Sequence, residues 1–437
     1  MDSLGCALAG STAPGVAELA AQMRDWGGAP QATLIAFGGR LPPAAASLVN
    51  GTMIHARDFD DTHDIAGVHA CASALPAALA VAEARGGVPG REFLAAFIIG
   101  VEVACRLGLA VERYKGWHLT GICGAFGAAA AAARLIGLDA RGTHMALGIA
   151  LSQASGTLQP IQDGALTKRM HPGLAAQAGV LSAFLARRGV TGASEVFTGR
   201  FGFFHLFAGT KGPRTDPAEV RRAEGHAYRN AALVEGLGER YEVERLGLKP
   251  YPCCRASHGV LDGFLALIRR EALGPEQVRE VRARVSPWIA RLVDRPFRPG
   301  ESGVVGGQFS LPYHLAAALL RGDVFLDSFT EEGVADPQIA DLLPRMRVIV
   351  DPAIAHKTPV AVEVDLADGR ALRETVREVL GSPERPLREE EVRQKFRKCA
   401  SYALRPPEEE TAEQIVAAVE RLEGLEDISR LAALLSL

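Results

Sequence analysis

From residue 1 to about 235, apolar residues recur at helical spacing and are mostly Ala, Leu and Gly, with few β-branched runs. The period predicts helices over Leu75 to Arg85, Phe93 to Leu109, Ala125 to Ile136, Met145 to Ser155 and Gly173 to Arg188, several of them ended by glycine. On this reading the first half is all-helical. The pattern then changes: "QVREVRARVS" (277–286), "RMRVIVD" (345–351) and "PVAVEVD" (359–365) alternate apolar with charged positions, as half-buried strands do. The last is followed by "ADG" and "RALRETV", which predicts a hairpin with a glycine-assisted turn. After the breaker "SPERP" (382–386), "LREEEVRQKFRKCA" and "TAEQIVAAVERLEGL" return to helical period, and these C-terminal helices are expected to pack back on the first half. No internal repeat or low-complexity segment appears beyond the alanine bias.

Composition narrows the function classes. The 437 residues are 48% hydrophobic and 23% charged, enough chain for two or three domains around a sizeable core. Lys plus Arg (48) nearly balances Asp plus Glu (51), so no net field draws the chain to nucleic acid or anionic lipid. The apolar run from Phe93 to Val111 is broken by Glu102 and Arg106, and no basic, apolar leader opens the sequence; no membrane partner is expected. Seven cysteines, at 6, 71, 105, 123, 253, 254 and 399, are odd in number and lack C-x-x-C spacing. They support neither a disulfide framework nor a metal site, and a reducing cytoplasm is the expected location.

Chemistry concentrates in "HARDFDDTH" (55–63). On a helix, His55, Asp58 and Thr62 stand at i, i+3 and i+7 and share a face with Asp61 beside them, whereas Asp60 and His63 fall elsewhere. The plainer alternative is a solvated helix end capped by Asp and Thr. His69 follows shortly after, and His118 stands just ahead of glycines 121, 124 and 127. No strand precedes that G-x-x-G-x-x-G, so close helix packing rather than dinucleotide binding is its expected role. Lys168, Arg169 and His171 cluster before a helix starting near Pro172, where cations oppose the helix dipole unless an anion sits there. That points to a carboxylate or phosphate pocket. Lys249, Arg255 and His258 share a Pro-rich loop, and Tyr313 lies in "FSLPYHLAAALL".

Five blocks together, "NGTMIHARDFDDTHDIAGVH", "GWHLTGICGAFGAAAAAARLIGL", "GALTKRMHPGLAAQAGVLSAFLARRGVTG", "KPYPCCRASHGVLDG" and "FSLPYHLAAALL", resemble the MmgE/PrpD family in order and across nearly the whole chain. That family includes 2-methylcitrate dehydratase, cis-aconitate decarboxylase and iminodisuccinate epimerase. The resemblance implies a mainly α fold: a large helical domain (1–245, completed by 386–437) with a smaller α+β lid domain (246–385) inserted. It also implies a homodimer that needs no metal or other cofactor. Carried over by position, the family's site residues correspond to Asp58, Thr62, His69, His118, Lys168, His258 and Tyr313. His55, His171 and Arg255 belong to the same motifs as lesser candidates.

The family's chemistry breaks a bond at a carbon next to a carboxylate and stabilises an enolate-like anion. Such a site needs a base, fixed positive charge and an acid. The resemblance implies Asp58 or His118 as base and His69 or Tyr313 as proton donor, or the reverse. Lys168 and His258 would then pair with substrate carboxylates and Thr62 orient one of them. It puts first a dehydratase of a 2-methylcitrate-like hydroxy acid, with a decarboxylase or an epimerase as alternatives on the same residues and a non-catalytic carboxylate-binding protein as the rival class.

This chain departs from the family pattern in three places. Ala70-Cys71 follows His69 where Pro-Ser is usual, and Leu119 follows His118 in place of proline. Relatives also carry about one more helix ahead of the segment "DSLGCALAG", whose loss would leave apolar surface on its neighbours.

Overall fold

A computed structural model describes residues 1–111, 116–208, 229–355 and 357–437. The fold is mainly α. The helices Pro43–His55, Cys71–Arg85, Gly90–Ala110, Leu119–Leu135 and His171–Arg187 pack around one another. The period does not predict Pro43–His55; the other four lie broadly where it places them, but the third predicted helix begins six residues early, at Leu119 instead of Ala125, and the one expected over Met145 to Ser155 runs over Ala140–Leu151. The glycines of the G-x-x-G-x-x-G run are helix contact points, as expected: a Cβ at Gly124 would lie 2.6 Å from Ser73 Oγ, and one at Gly127 would lie 2.4 Å from the Gly100 carbonyl. With no side chains there, neighbouring helices cross at backbone distance, and the packing outweighs glycine's poor helix propensity.

Gly90–Ala110 is, among the described residues, the one helix long and apolar enough to cross a membrane. Its two buried charges are used internally: Arg106 Nε donates to Glu102 Oε1 at 2.6 Å, and the Glu242 amide donates to Glu102 Oε2 at 2.6 Å. Two two-residue strands, Ala32–Thr33 and Arg40–Leu41, pair in this half, so it is not wholly helical.

The remaining strands form one four-stranded sheet in the order Met346–Val350, Val278–Val285, Val360–Leu366, Ala371–Val376, with the first pair parallel and the others antiparallel. Helix His258–Glu271 lies on the sheet at its Ala371–Val376 edge and the neighbouring Val360–Leu366 strand, and buries Val260, Phe264 and Leu267. The apolar interior is divided. One core joins Leu8, Met53, Phe59 and Val180 to Phe396, Ile415 and Leu435 of the C-terminal helices; another joins Phe264, Val281, Tyr313 and Val362. A groove of about 490 Å³ beside helix Asp2–Gly10 is lined by Leu4, Leu75, Leu79, Phe93 and Phe97 on one side and by residues 419–424 on the other.

Candidate active site

The segment that carries most of the chemistry is not helical. Helix Pro43–His55 stops at His55, and Asp58 takes a left-handed backbone (φ 52°), a conformation that costs a non-glycine residue roughly 1 kcal/mol. The turn beyond the helix is held by side chains from far along the chain that take its carbonyls. Gln308 Nε2 donates to the Arg57 carbonyl at 2.9 Å, Lys249 Nζ to that of Asp58 at 2.8 Å and Lys395 Nζ to that of Phe59 at 2.7 Å. Beyond them, Thr62 exchanges backbone hydrogen bonds with Gly247. The shared helical face expected for His55, Asp58 and Thr62 therefore does not exist.

The turn instead presents its carboxylates in different directions. Asp58 lies between two lysines: Lys168 Nζ donates to Oδ1 at 2.6 Å, and Lys249 Nζ is 3.3 Å from Oδ2. Burial alone would push the Asp58 carboxyl up, but Lys168 and then Lys249 hold it well below the usual carboxylate range. The anion that the cations ahead of His171–Arg187 face is thus Asp58 itself. Arg169 is turned away and donates to the Pro14 carbonyl at 2.9 Å.

Asp60 is 2.8 Å from His55 Nδ1 and 3.7 Å from His69 Nδ1, and these imidazoles and the hydrogen bond to His55 hold it low against burial. Asp61 takes the capping role that the plainer reading gave to this cluster. Its carboxylate accepts from the amides of Ala70 (3.0 Å) and Cys71 (3.2 Å) at the start of Cys71–Arg85, where Ala70 has no side chain able to cap. Burial, then Asp60, push its carboxyl up to about 8.

Four imidazoles from four parts of the chain meet above this turn. The His55 ring lies 4.8 Å from that of His69 and 5.6 Å from that of His118, which in turn lies 5.2 Å from that of His171. The Nδ1 atoms of His118 and His171 are 3.0 Å apart, so one donates and the other accepts. His69 Nδ1 donates to the Asp61 carbonyl at 2.6 Å. Burial lowers all four, His69 to about 3 and His171 to about 4, so the rings are neutral. A narrow cavity of about 10 Å³, room for about one water, opens between His55, Asp58 and Lys168 on one wall and Val305, Gln308 and Phe309 on the other.

His55, Asp60 and His69 offer ligand-type atoms within 4.8 Å of one another. In this arrangement their Nδ1 atoms are hydrogen-bonded, that of His55 to Asp60 and that of His69 to the Asp61 carbonyl.

Other predicted residues lie apart from the imidazoles. Tyr313 is fully buried in the second core, its hydroxyl donating to the carbonyls of Ser328 and Gly333 (3.2 Å to the latter), so it is not a free proton donor in this arrangement. His258 is also buried, with Nε2 3.2 Å from the Cys253 carbonyl and Nδ1 3.3 Å from Arg255 Nη1. Arg255 turns to Asp64 (3.4 Å) and to the Leu380 carbonyl (2.8 Å). The adjacent Cys253 and Cys254 are free thiols pushed up by burial, which is packing behaviour and not that of a nucleophile.

Sequence reasoning assigned no role to Asp60, Lys249 and Lys395. Lys249 was visible as a cation in its Pro-rich loop. Lys395 sits beside Phe396 on the buried face of an otherwise charged helix, and a lysine on an apolar face is itself a signal.

The MmgE/PrpD N-terminal domain model matches residues 1–216 and the MmgE/PrpD C-terminal domain model residues 251–421. The chain belongs to the MmgE/PrpD family. Among curated MmgE/PrpD relatives, a cis-aconitate decarboxylase of Homo sapiens is 32% identical over 91% of this chain and 80% of its own length. One of Mus musculus is 31% identical over 91% and 79%. The cis-aconitate decarboxylase-like protein oryM of Aspergillus oryzae is 29% identical over 100% of this chain and 91% of its own. The family's lyase chemistry is therefore the frame for this site.

Proposed function

We propose that this protein is a lyase that decarboxylates cis-aconitate or a close tricarboxylate analogue. The observation that carries the reading is the buried Lys168–Asp58–Lys249 group set against neutral imidazoles at the end of a small cavity. In cis-aconitate the departing carboxylate is β,γ to the double bond. When its C–C bond breaks, the electron pair forms a new double bond and the old one shifts to the carbon beside another carboxylate. Fixed positive charge must hold that enolate, and a proton must reach its carbon. Lys168 and Lys249 supply the charge, with Asp58 holding both in place, and His69 and His118 are within the imidazole group that moves protons.

Thr62, His258 and Arg255 act on the strands of chain around this site, and the working form is a homodimer with the sheet-bearing residues closing over the cavity as a lid. Dehydration of a 2-methylcitrate-like acid, the reaction the family resemblance puts first, uses the same groups; the relatives' names favour decarboxylation. Proton NMR of the protein in D₂O with cis-aconitate, 2-methylcitrate and iminodisuccinate in separate tubes tests this. Itaconate from cis-aconitate is expected. New vinyl signals from 2-methylcitrate alone would replace decarboxylation with dehydration.

A further inference from the structure

His55 differs from its neighbours in one respect. Its Nδ1 is held by Asp60 at 2.8 Å, while Nε2, like Asp60 Oδ1, is buried with no hydrogen-bond partner among the described residues. Buried polar atoms are nearly always satisfied, so an orphaned ring nitrogen beside a cavity needs a reason. With an ionised Asp60 as acceptor, Nδ1 carries the proton and Nε2 is left with its lone pair. His118, His171 and His69 all have an Nδ1 committed to another part of the chain, and among the described residues none of them has a carboxylate within hydrogen-bonding distance, Asp60 standing 3.7 Å from His69 Nδ1.

We propose that His55, oriented by Asp60, is the catalytic acid that delivers the proton to carbon; this rests on the decarboxylase reading. The groups facing His55 are Asp58 and Asp60 from its own turn, His69, His118 at the head of Leu119–Leu135, and Lys168 and His171 ahead of and at the start of His171–Arg187. Lys168 and Lys249 against Asp58 and Asp60 leave the empty site close to neutral. A substrate trianion therefore arrives with uncompensated negative charge, and His55 Nε2 takes up a proton with Asp60 stabilising the imidazolium. The step then balances. The C–C bond to the leaving carboxylate breaks, CO₂ departs, the proton on Nε2 passes to the enolate carbon, and the ring returns to neutral. The trianion and one proton give the dianion and CO₂.

Two substitutions test the assignment. His55→Asn keeps an N–H where Nδ1 stands, so the bond to Asp60 and the fold are retained while Nε2 is lost. Its kcat for itaconate formation should fall ~100-fold or more, the usual worth of a positioned proton carrier, with the cis-aconitate Kd from calorimetry little changed. Calorimetry in two buffers of different ionisation enthalpy should show close to one proton taken up on binding by the wild-type protein and none by His55→Asn. Asp60→Asn removes the carboxylate that favours the imidazolium. Because the protonated ring is the active form, the alkaline limb of kcat should move to lower pH.

Near wild-type kcat in folded His55→Asn, or an unmoved limb in Asp60→Asn, overturns the dyad while leaving decarboxylation standing. If the wild-type protein makes no itaconate but dehydrates 2-methylcitrate, the decarboxylase reading fails, and the acid role survives only if His55→Asn loses that activity equally. A wild-type protein that acts on none of these acids overturns both.

Discussion

Two aspartates six residues apart each sit between two cations, and they behave differently. Asp58 lies between Lys168 and Lys249, with side-chain exposures of 6%, 10% and 1%. Asp64 lies between Arg255 and Lys357 (2.9 Å from Oδ1), and here the aspartate and the lysine are 23% and 20% exposed. Both join the turn after Pro43–His55 to chain beyond residue 240. The first is cut off from water, so each charge depends on the other two. In the second, water shares the load. Burial and not pairing pattern separates the inner group, which we propose fixes reacting charges, from the outer one, which fastens two parts of the chain.

The sharpest way to break this comparison is Asp58→Asn. It strands two buried ammonium groups, so stability should fall by ~3–5 kcal/mol in urea unfolding, the usual cost of removing one partner of a buried pair. Turnover should fall by at least ~100-fold. An Asp58→Asn protein with neither loss would make the two aspartates equivalent.

Lys395→Met comes next. Lys395 Nζ donates to the carbonyls of Phe59 and Lys249 and pairs with Asp2 at 2.6 Å, so it ties together the two segments that carry Asp58 and Lys249. The expected cost is ~2–3 kcal/mol, from carbonyls left unsatisfied and a carboxylate left unpaired. As a positioning residue it should lower kcat more than it raises KM, and Lys395→Arg should recover part of the loss.

Acid titration separates the aspartates more gently. Both carboxyls are lowered from an ordinary 3.8, Asp58 strongly and by Lys168 first, Asp64 less and by Lys357 first, each against the opposing effect of burial. A depressed carboxyl contributes stability that is present above the ordinary value and lost as pH falls through the folded one. The Asp64 contribution should therefore disappear first on acidification. The Tm of Asp64→Asn should converge with wild type at a higher pH than the Tm of Asp58→Asn does.

The smallest effect is Asp64→Asn at neutral pH. A partly exposed triad should cost under ~1 kcal/mol on replacement, and the difference should shrink as salt is raised. A larger, salt-insensitive loss would show that the outer triad is as isolated from solvent as the inner one.

Much of this was legible in the sequence, for reasons that are local. Helical period survives wherever a helix buries one stripe against a core, which is why Gly90–Ala110 and His171–Arg187 were visible. Alternation marked Val278–Val285 and Val360–Leu366 because each buries one face of the sheet more than the other. The five motifs, and with them the MmgE/PrpD family and the imidazoles, needed only the order of residues.

Tertiary structure decided what those residues do to one another. Helical spacing put Asp58 with His55 and set Asp60 apart, yet long-range donors from Lys249, Gln308 and Lys395 took the turn's carbonyls and reversed that pairing. Tyr313 kept its place in the motif and spent its hydroxyl on Ser328 and Gly333. Sequence determined which groups were available and which stretches could be helix or strand, because those depend on near neighbours. Which carboxylate meets which cation, and which imidazole nitrogen is left without a partner, depends on residues more than a hundred positions away and on how completely water is excluded.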